Sequence, residues 1–531
     1  MNWKETVSRV LHGMKKSSHE KSNNVYQPIT MQDLPDDILL EIFSYLSSDY
    51  YKVTSLVCRR WNSVTFGTNK VQLNVTVLNR DRSSEKSYLR LLSKSKRRYK
   101  NLKLADCQRS LVLKLLPKFS SNLNSLTLSC NFELRHLAKI FQHCSNLRTL
   151  DIKFSNFDRT SKKSNILPSL PNLQTLKVDI TFLHLPKVNL HQHVPNLTSL
   201  TLLFSEDLPV PQPILDFISP RLRELDLQVN FPHEPASHFH QIWHAKFPLL
   251  THFTCYLERI DKPSQPYDPA SKLERFLDQS WTHLESAKLY RVLYNRWQYL
   301  DFLPASEEGP LFSQLSRTCS TLRELSLGML KLQEEQFVQL CELPHLRVLH
   351  IEESTVHTPG LDSCRKVESL VELSLQSTEI DDTTAFNEFI GRTFPNLARL
   401  SAHNCKNLFE VAELSFSRLE ALEHLSVRQI LPLSWDYLAN LSTFPVLRTV
   451  TIFCDRFADN SPDQRLAGVV SGSIRTLTVT AELNDEILRR LVEFFPNLTT
   501  LKLRRIGRCT PKGILETRKL VPNCCFELPR N

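Results

Sequence analysis

Eighteen histidines and thirteen cysteines are the side chains of this 531-residue chain best suited to hold a metal or attack a substrate. Their spacing does not organise them for either task. No C-x-x-C pair occurs, which excludes a zinc ribbon or a thioredoxin-type redox motif. No H-E-x-x-H, G-x-S-x-G or nucleotide loop is present, and ten glycines leave little material for a phosphate cradle. Cys58, inside V-C-R-R-W, reads as a small packed hydrophobe. Cys524-Cys525 is a vicinal pair open to oxidation or modification, but it defines no reaction. His143, His193 and His283 precede strand-like runs and read as solvated or half-buried side chains. The expectation is a non-catalytic protein that needs no cofactor and offers no metal site.

Composition narrows the class further. Hydrophobic residues make up 41% and charged residues 23%, as in ordinary globular domains. Mean hydropathy is −0.26, and no apolar run approaches the ~18 residues of a membrane span. Sixty-six basic against 56 acidic side chains give a net charge of +10, too mild over this length to argue for nucleic acid. Scattered single cysteines and the lack of a leader-like apolar run point to a reducing compartment, cytoplasm or nucleus. The N-x-[ST] triplets at Asn74, Asn196, Asn440 and Asn497 then carry no glycosylation meaning. Residues 1–30 read as a tail or a short amphipathic helix on Trp3, Val7, Val10, Leu11 and Met14. The run KSKRRYK at 94–100 reads as a solvated linker or an import or nucleic-acid patch.

One pattern, P/S-N-L-x-x-L-x-L, recurs fifteen times, from SNLNSLTL at 121 to PNLTTLKL at 496. Its first apolar position falls at 123, 147, 173, 197, 222, 250, 284, 322, 346, 370, 397, 422, 447, 474 and 498. Twelve of the fourteen intervals span 24–28 residues, the period of leucine-rich repeats. Each x-L-x-L is expected to be a short parallel strand with its leucines in a shared core, preceded by a helix. Asn484 is the expected cap of one such helix, before Ile487, Leu488, Leu491 and Phe495. A single repeat cannot bury its own leucines, so the repeats must stack as an α/β solenoid. The two long intervals place insertions at 256–281, with KPSQPYDPA, and at 290–319. The stretch 205–220 reads as a proline-rich rim loop.

Ahead of the repeats, residues 31–66 change character. Asp33 is a candidate helix start signal. Ile38, Leu39, Ile42, Phe43 and Leu46 follow at helical spacing, Val53, Leu56 and Val57 mark a second helix, and Trp61 and Val64 a third. A unit of this size without metal or disulfide is expected to leave apolar surface open to a neighbouring domain or another protein.

Leu34-Pro35, Ile38-Leu39, Ile42-Phe43-Ser44-Tyr45-Leu46 and Val57-Cys58-Arg59-Arg60-Trp61 stand in the order and spacing of an F-box. With repeats behind it, the chain resembles the F-box and leucine-rich-repeat family over most of its length. The resemblance implies a substrate-recognition subunit of an SCF-type ubiquitin ligase. The F-box of that family docks on a Skp-type adaptor and, through it, on cullin and a RING protein, and the repeats hold a protein substrate. Position by position, it points to Leu34, Pro35, Ile38, Leu39, Ile42, Phe43, Leu46, Val57 and Trp61 as forming the helices and the adaptor contact. The turn Ser47–Val53 departs from the family by lacking its usual apolar start to the second helix. A scaffold that binds the adaptor without ubiquitin transfer, for instance in a nuclear assembly, is the alternative.

The implied organisation is a tail at 1–30, F-box at 31–66, linker and N-terminal cap at 67–99, solenoid at 100–505 and C-terminal cap at 506–531. Recognition is expected on the strand positions that point away from the core. These carry Asp151, Glu224, Asp226, Glu324, Glu352 and Glu372, then Arg399, His403, His424, Arg428, Lys502 and Arg504. They suggest a face acidic over its first two-thirds and basic over its last third.

Overall fold

A computed structural model describes residues 33–46, 48–67, 71–76, 82–95, 97, 99–129, 134–153, 168–179, 190–204, 210–229, 242, 245–259, 281–293, 309–328, 330–405, 419–428, 433–457, 472–505 and 508–528. The tail at 1–30, the proline-rich 262–270 and residues 294–308 of the second insertion lie outside them. The chain forms two units, Met1–Ile218 and Ser219–Asn531.

The first unit opens with three short helices, α1 (Asp36–Ser44), α2 (Ser48–Thr54) and α3 (Arg59–Gly67). The chain enters α1 at Pro35 rather than at an Asp33 cap, and Asp36 and Asp37 place negative charge on the helix N-terminus. Leu56 and Val57 follow α2 as a turn rather than extending it, with the Leu56 amide donating to the Val53 carbonyl and the Val57 amide to that of Thr54.

All fifteen repeats read from the sequence are strands. The fifteen residues at the first apolar position are at most 3% exposed, so the period of the sequence is the period of the core. In the first unit the parallel ladder runs Gln72–Thr76, Asn101–Ala105, Ser125–Ser129, Thr149–Ile152, Thr175–Asp179 and Ser199–Phe204. In the second it runs from Glu224–Val229 through His252–Arg259, Ser286–Leu293, Glu324–Gly328, Val348–Glu352, Glu372–Gln376 and Arg399–His403. It continues through His424–Arg428, Thr449–Arg456, Thr476–Glu482 and Thr500–Leu503 to Cys525–Glu527. Pairing therefore extends past both ends of the 100–505 span. Three two-residue strands, Lys331–Leu332, Thr355–Val356 and Glu379–Ile380, form a second small parallel sheet.

The asparagine of P/S-N-L has a structural use. The side-chain amides of Asn146, Asn172, Asn196, Asn396 and Asn497 donate to backbone carbonyls of the preceding repeat, at 2.7–3.1 Å. Each satisfies a loop carbonyl that no strand partner reaches. Asn484 caps Asp485–Phe494 by accepting from the Ile487 amide at 2.8 Å, as its position predicts. The proline-rich 205–220 stretch is not all loop. Gln212–Ile218 is helical, because Pro213 sits in the first turn where no amide is needed, and Ile214, Leu215 and Ile218 are buried.

An aromatic chain ties the helical segment to the first repeats. Phe66 at the end of α3 meets Tyr99 edge-on at 5.1 Å, and Tyr99 meets Phe119 at 5.7 Å. Arg97 lies over the Phe66 ring at 4.4 Å. Part of the basic run 94–100 is thus built into this joint rather than being a free linker.

Candidate partner-binding faces

The three helices make a small core of their own. Leu34, Leu39, Ile42, Phe43, Tyr51 and Val64 are buried together, with Ile38, Leu46, Trp61 and Val71 packed against them. Phe43 and Trp61 meet edge-to-face at 5.1 Å. The Tyr51 hydroxyl donates to the Phe43 carbonyl at 2.9 Å, the Asn62 amide to the Ser55 carbonyl at 3.0 Å, and the Thr54 hydroxyl to the Tyr50 carbonyl at 2.8 Å. Arg60 fastens α3 to the start of α1, with its Nε on the Asp36 carboxylate at 2.8 Å and its Nη2 on the Leu34 carbonyl. Most of the conspicuous V-C-R-x-W signature is therefore fastening.

The packing divides the segment's apolar side chains into a covered set and an open one. Of the nine residues expected to build the helices and the adaptor contact, Leu34, Leu39, Ile42 and Phe43 are buried, and Ile38, Leu46 and Trp61 are partly buried against them. Only Pro35 and Val57 are exposed. The open apolar surface lies largely outside those nine: Leu40 at 36%, Tyr45 at 65%, Tyr50 at 45%, Val53 at 63% and Leu56 at 77%, with Val57 at 57%. Val53, Leu56 and Val57 are three and four apart through a helical turn, the spacing that brings side chains to one side. The Tyr45 hydroxyl donates to Glu41 at 2.9 Å, and this bond and the carboxylate's charge raise its pKa.

The repeats offer a second face. Their alternate strand residues point out of the core, and none of the eleven outward residues proposed beyond Asp151 is buried. Register aligns Glu224, His252, Ser286, Glu324, Val348, Glu372, Arg399 and His424 in one row. A second row, at the strands' far ends, holds Gln228, Tyr256, Tyr290, Gly328, Glu352, Gln376, His403 and Arg428. Arg399 pairs with Glu372 at 2.6 Å and His350 approaches the same carboxylate at 3.9 Å. Tyr256 and Tyr290 stack at 4.8 Å, and Tyr290 lies so close to Gly328 that a Cβ there would sit 2.4 Å from the ring. His403 contacts the Ser426 hydroxyl at 2.8 Å, and half-burial followed by the Arg428 charge lowers its pKa.

The acidic-to-basic gradient expected along this face does not hold. In the first unit Asp151 stands among Lys103, Lys153 and Lys177; burial raises its pKa and the three ammonium groups oppose the rise. Past Arg428 the outward positions become hydroxyls, Thr449, Thr451, Thr476, Thr478 and Thr500. Lys502 is paired with Glu527 at 3.2 Å, and Arg504 lies beyond the end of its strand. Outward positions carry no burial constraint, so their charge varies from repeat to repeat. Arg323, Arg347, Tyr256 and Tyr290 were missed. The signal for the arginines was in the motif, since both follow the first leucine in L-R-x-L.

Among the described residues no group of histidines, cysteines and acids has metal-binding geometry, and no helix is long and apolar enough to cross a membrane. Burial drives most of the thiols upward, Cys144 to about 12 and Cys319, Cys405 and Cys454 to about 11. They are core atoms rather than nucleophiles.

A family model described as F-box-like matches residues 31–69. Among solved structures, the chain is similar to an internalin (inlF) from Listeria monocytogenes. The identity is 12% over 85% of this chain and 96% of that one, with a TM-score of 0.31. The chain joins a helical segment matched as F-box-like to an α/β solenoid whose parallel strands recur with the leucine-rich period.

Proposed function

We propose that this protein is the substrate-recognition subunit of an SCF-type ubiquitin ligase, acting in the cytoplasm or nucleus. The helical domain docks on a Skp-type adaptor that brings cullin and a RING protein, and the outward strand residues hold the protein to be modified. The subunit contributes position. A target held by the repeats presents its lysines to the loaded transfer enzyme at high effective concentration.

The observation that carries the reading is the set of large apolar side chains left open on a domain matched as F-box-like, chiefly Val53, Leu56 and Val57. Burying a side chain of this kind is worth ~1.5–3 kcal/mol, and the segment's own core leaves these three uncovered. The experiment is affinity purification of the full chain and of a Leu56→Asp, Val57→Asp variant, with adaptor, cullin and RING protein quantified by mass spectrometry. All three are expected with the parent chain and lost with the variant. Recovery of adaptor without cullin would replace the ligase reading with that of a scaffold.

A further inference from the structure

At the end of the second unit's sheet where its strands begin, a cleft of about 350 Å³ opens among His252, Glu285, Arg323, Glu324, Arg347 and Arg399. Arg323 and Arg347 occupy the same register position on adjacent strands, the Arg347 amide donating to the Arg323 carbonyl at 2.8 Å. Both side chains are exposed. Neither forms an ion pair or a side-chain hydrogen bond among the described residues. Arg399, by contrast, is already committed to Glu372.

Like charges side by side on neighbouring strands repel. Two guanidiniums in this position gain when one oxyanion is shared between them, since each presents a planar fork of donors that fits a carboxylate or phosphate. The strand before Arg323 presents Glu285 at this register and the strand after Arg347 presents Val371. Val348, which the register sets between Glu324 and Glu372, and Val371 beside Arg347 also line the cleft. Glu285 and Glu324 repel a longer run of negative charge, which disfavours a polyanion.

We infer that this cleft binds a single oxyanionic side chain, phosphorylated or carboxylate, on a peptide segment of the protein partner. The inference rests on the proposed role of the repeats in holding a target, and it names what they read. The arginine pair acts as the specificity element, and Val348 and Val371 receive an apolar neighbour of the anion.

The test is fluorescence anisotropy of the full chain with three fluorescein-labelled degenerate heptapeptide pools whose central residue is phosphoserine, glutamate or serine. The phosphoserine pool, the glutamate pool or both should bind about tenfold tighter than the serine pool, a difference of ~1.4 kcal/mol. Preference for one charged pool identifies the source of the oxyanion. Arg323→Ala with Arg347→Ala should abolish the difference. Arg323→Lys with Arg347→Lys, which keeps charge but not the fork, should retain only part of it, and Arg489→Ala on an outer helix should retain all of it. Equal binding of the three pools, or a difference that survives the double alanine variant, overturns the inference. Adaptor co-purification by the same variants separates the two readings. It should be unchanged by the arginine substitutions whatever the peptides do, whereas failure of the docking reading shows as lost or absent adaptor with both arginines intact.

Discussion

The helical segment and the repeats spend apolar side chains in opposite ways. In the repeats every leucine of the motif has a counterpart one period away, and stacking buries the row. The three-helix segment has no such neighbour to copy. It buries a handful of side chains around Phe43 and leaves Val53, Leu56 and Val57 more than half exposed. A surface that costs stability in solution and persists in a folded domain is best explained by a partner. The repeats are a self-sufficient support, and their variable outward residues are free to specify a target.

Four substitutions break or sharpen this contrast. The largest effect should come from the shared rule, that buried side chains hold each region. Phe43→Ala should remove ~3–5 kcal/mol from the helical domain, seen as fast hydrogen exchange across residues 36–67 while the repeats stay protected. Leu400→Ala, in a row where each strand supports the next, should cost ~2–5 kcal/mol and expose adjacent strands in the same exchange experiment. Asn396→Ala removes one bond between repeats and should cost ~1 kcal/mol, read as a lower urea midpoint with the ladder intact. The smallest effect is electrostatic. Because the fold lowers the His403 pKa, the neutral imidazole is the one it favours. Its contribution is complete above the unfolded value of ~6.5 and declines as pH falls through that value toward the folded pKa. Arg428→Ala should move the His403 titration upward toward the ordinary value, followed by NMR of labelled histidine.

How much of this was legible in the sequence follows from the same contrast. The fifteen strands were readable because burial repeats with the period. The flanking strands Gln72–Thr76, Asn101–Ala105 and Cys525–Glu527 were not, since they depart from the motif. Tyr99 stands three residues before Leu102, where the next repeat has Leu123 three before Leu126. Asn523 occupies the same place before Phe526. In the helical segment, apolar spacing located the helices but could not divide core from open surface. Leu39 and Leu40 are neighbours of one residue type, one sealed and one open, and only the packing of α3 under α1 separates them. On the strand face, alternation correctly turned the charged residues outward. Which of them meet was a matter of register between repeats of unequal length, so the Arg399–Glu372 pair and the unpaired Arg323 and Arg347 became visible only in the fold.

The most direct measurement is the affinity of purified full-length chain for purified Skp-type adaptor, comparing the parent with Val53→Asp, Leu56→Asp. Both side chains are exposed, so fold stability should change by less than ~0.5 kcal/mol, verified by an unaltered melting temperature. Adaptor affinity should fall at least tenfold. A variant that melts with the parent and binds adaptor as tightly would contradict the claim that these open side chains form the docking surface.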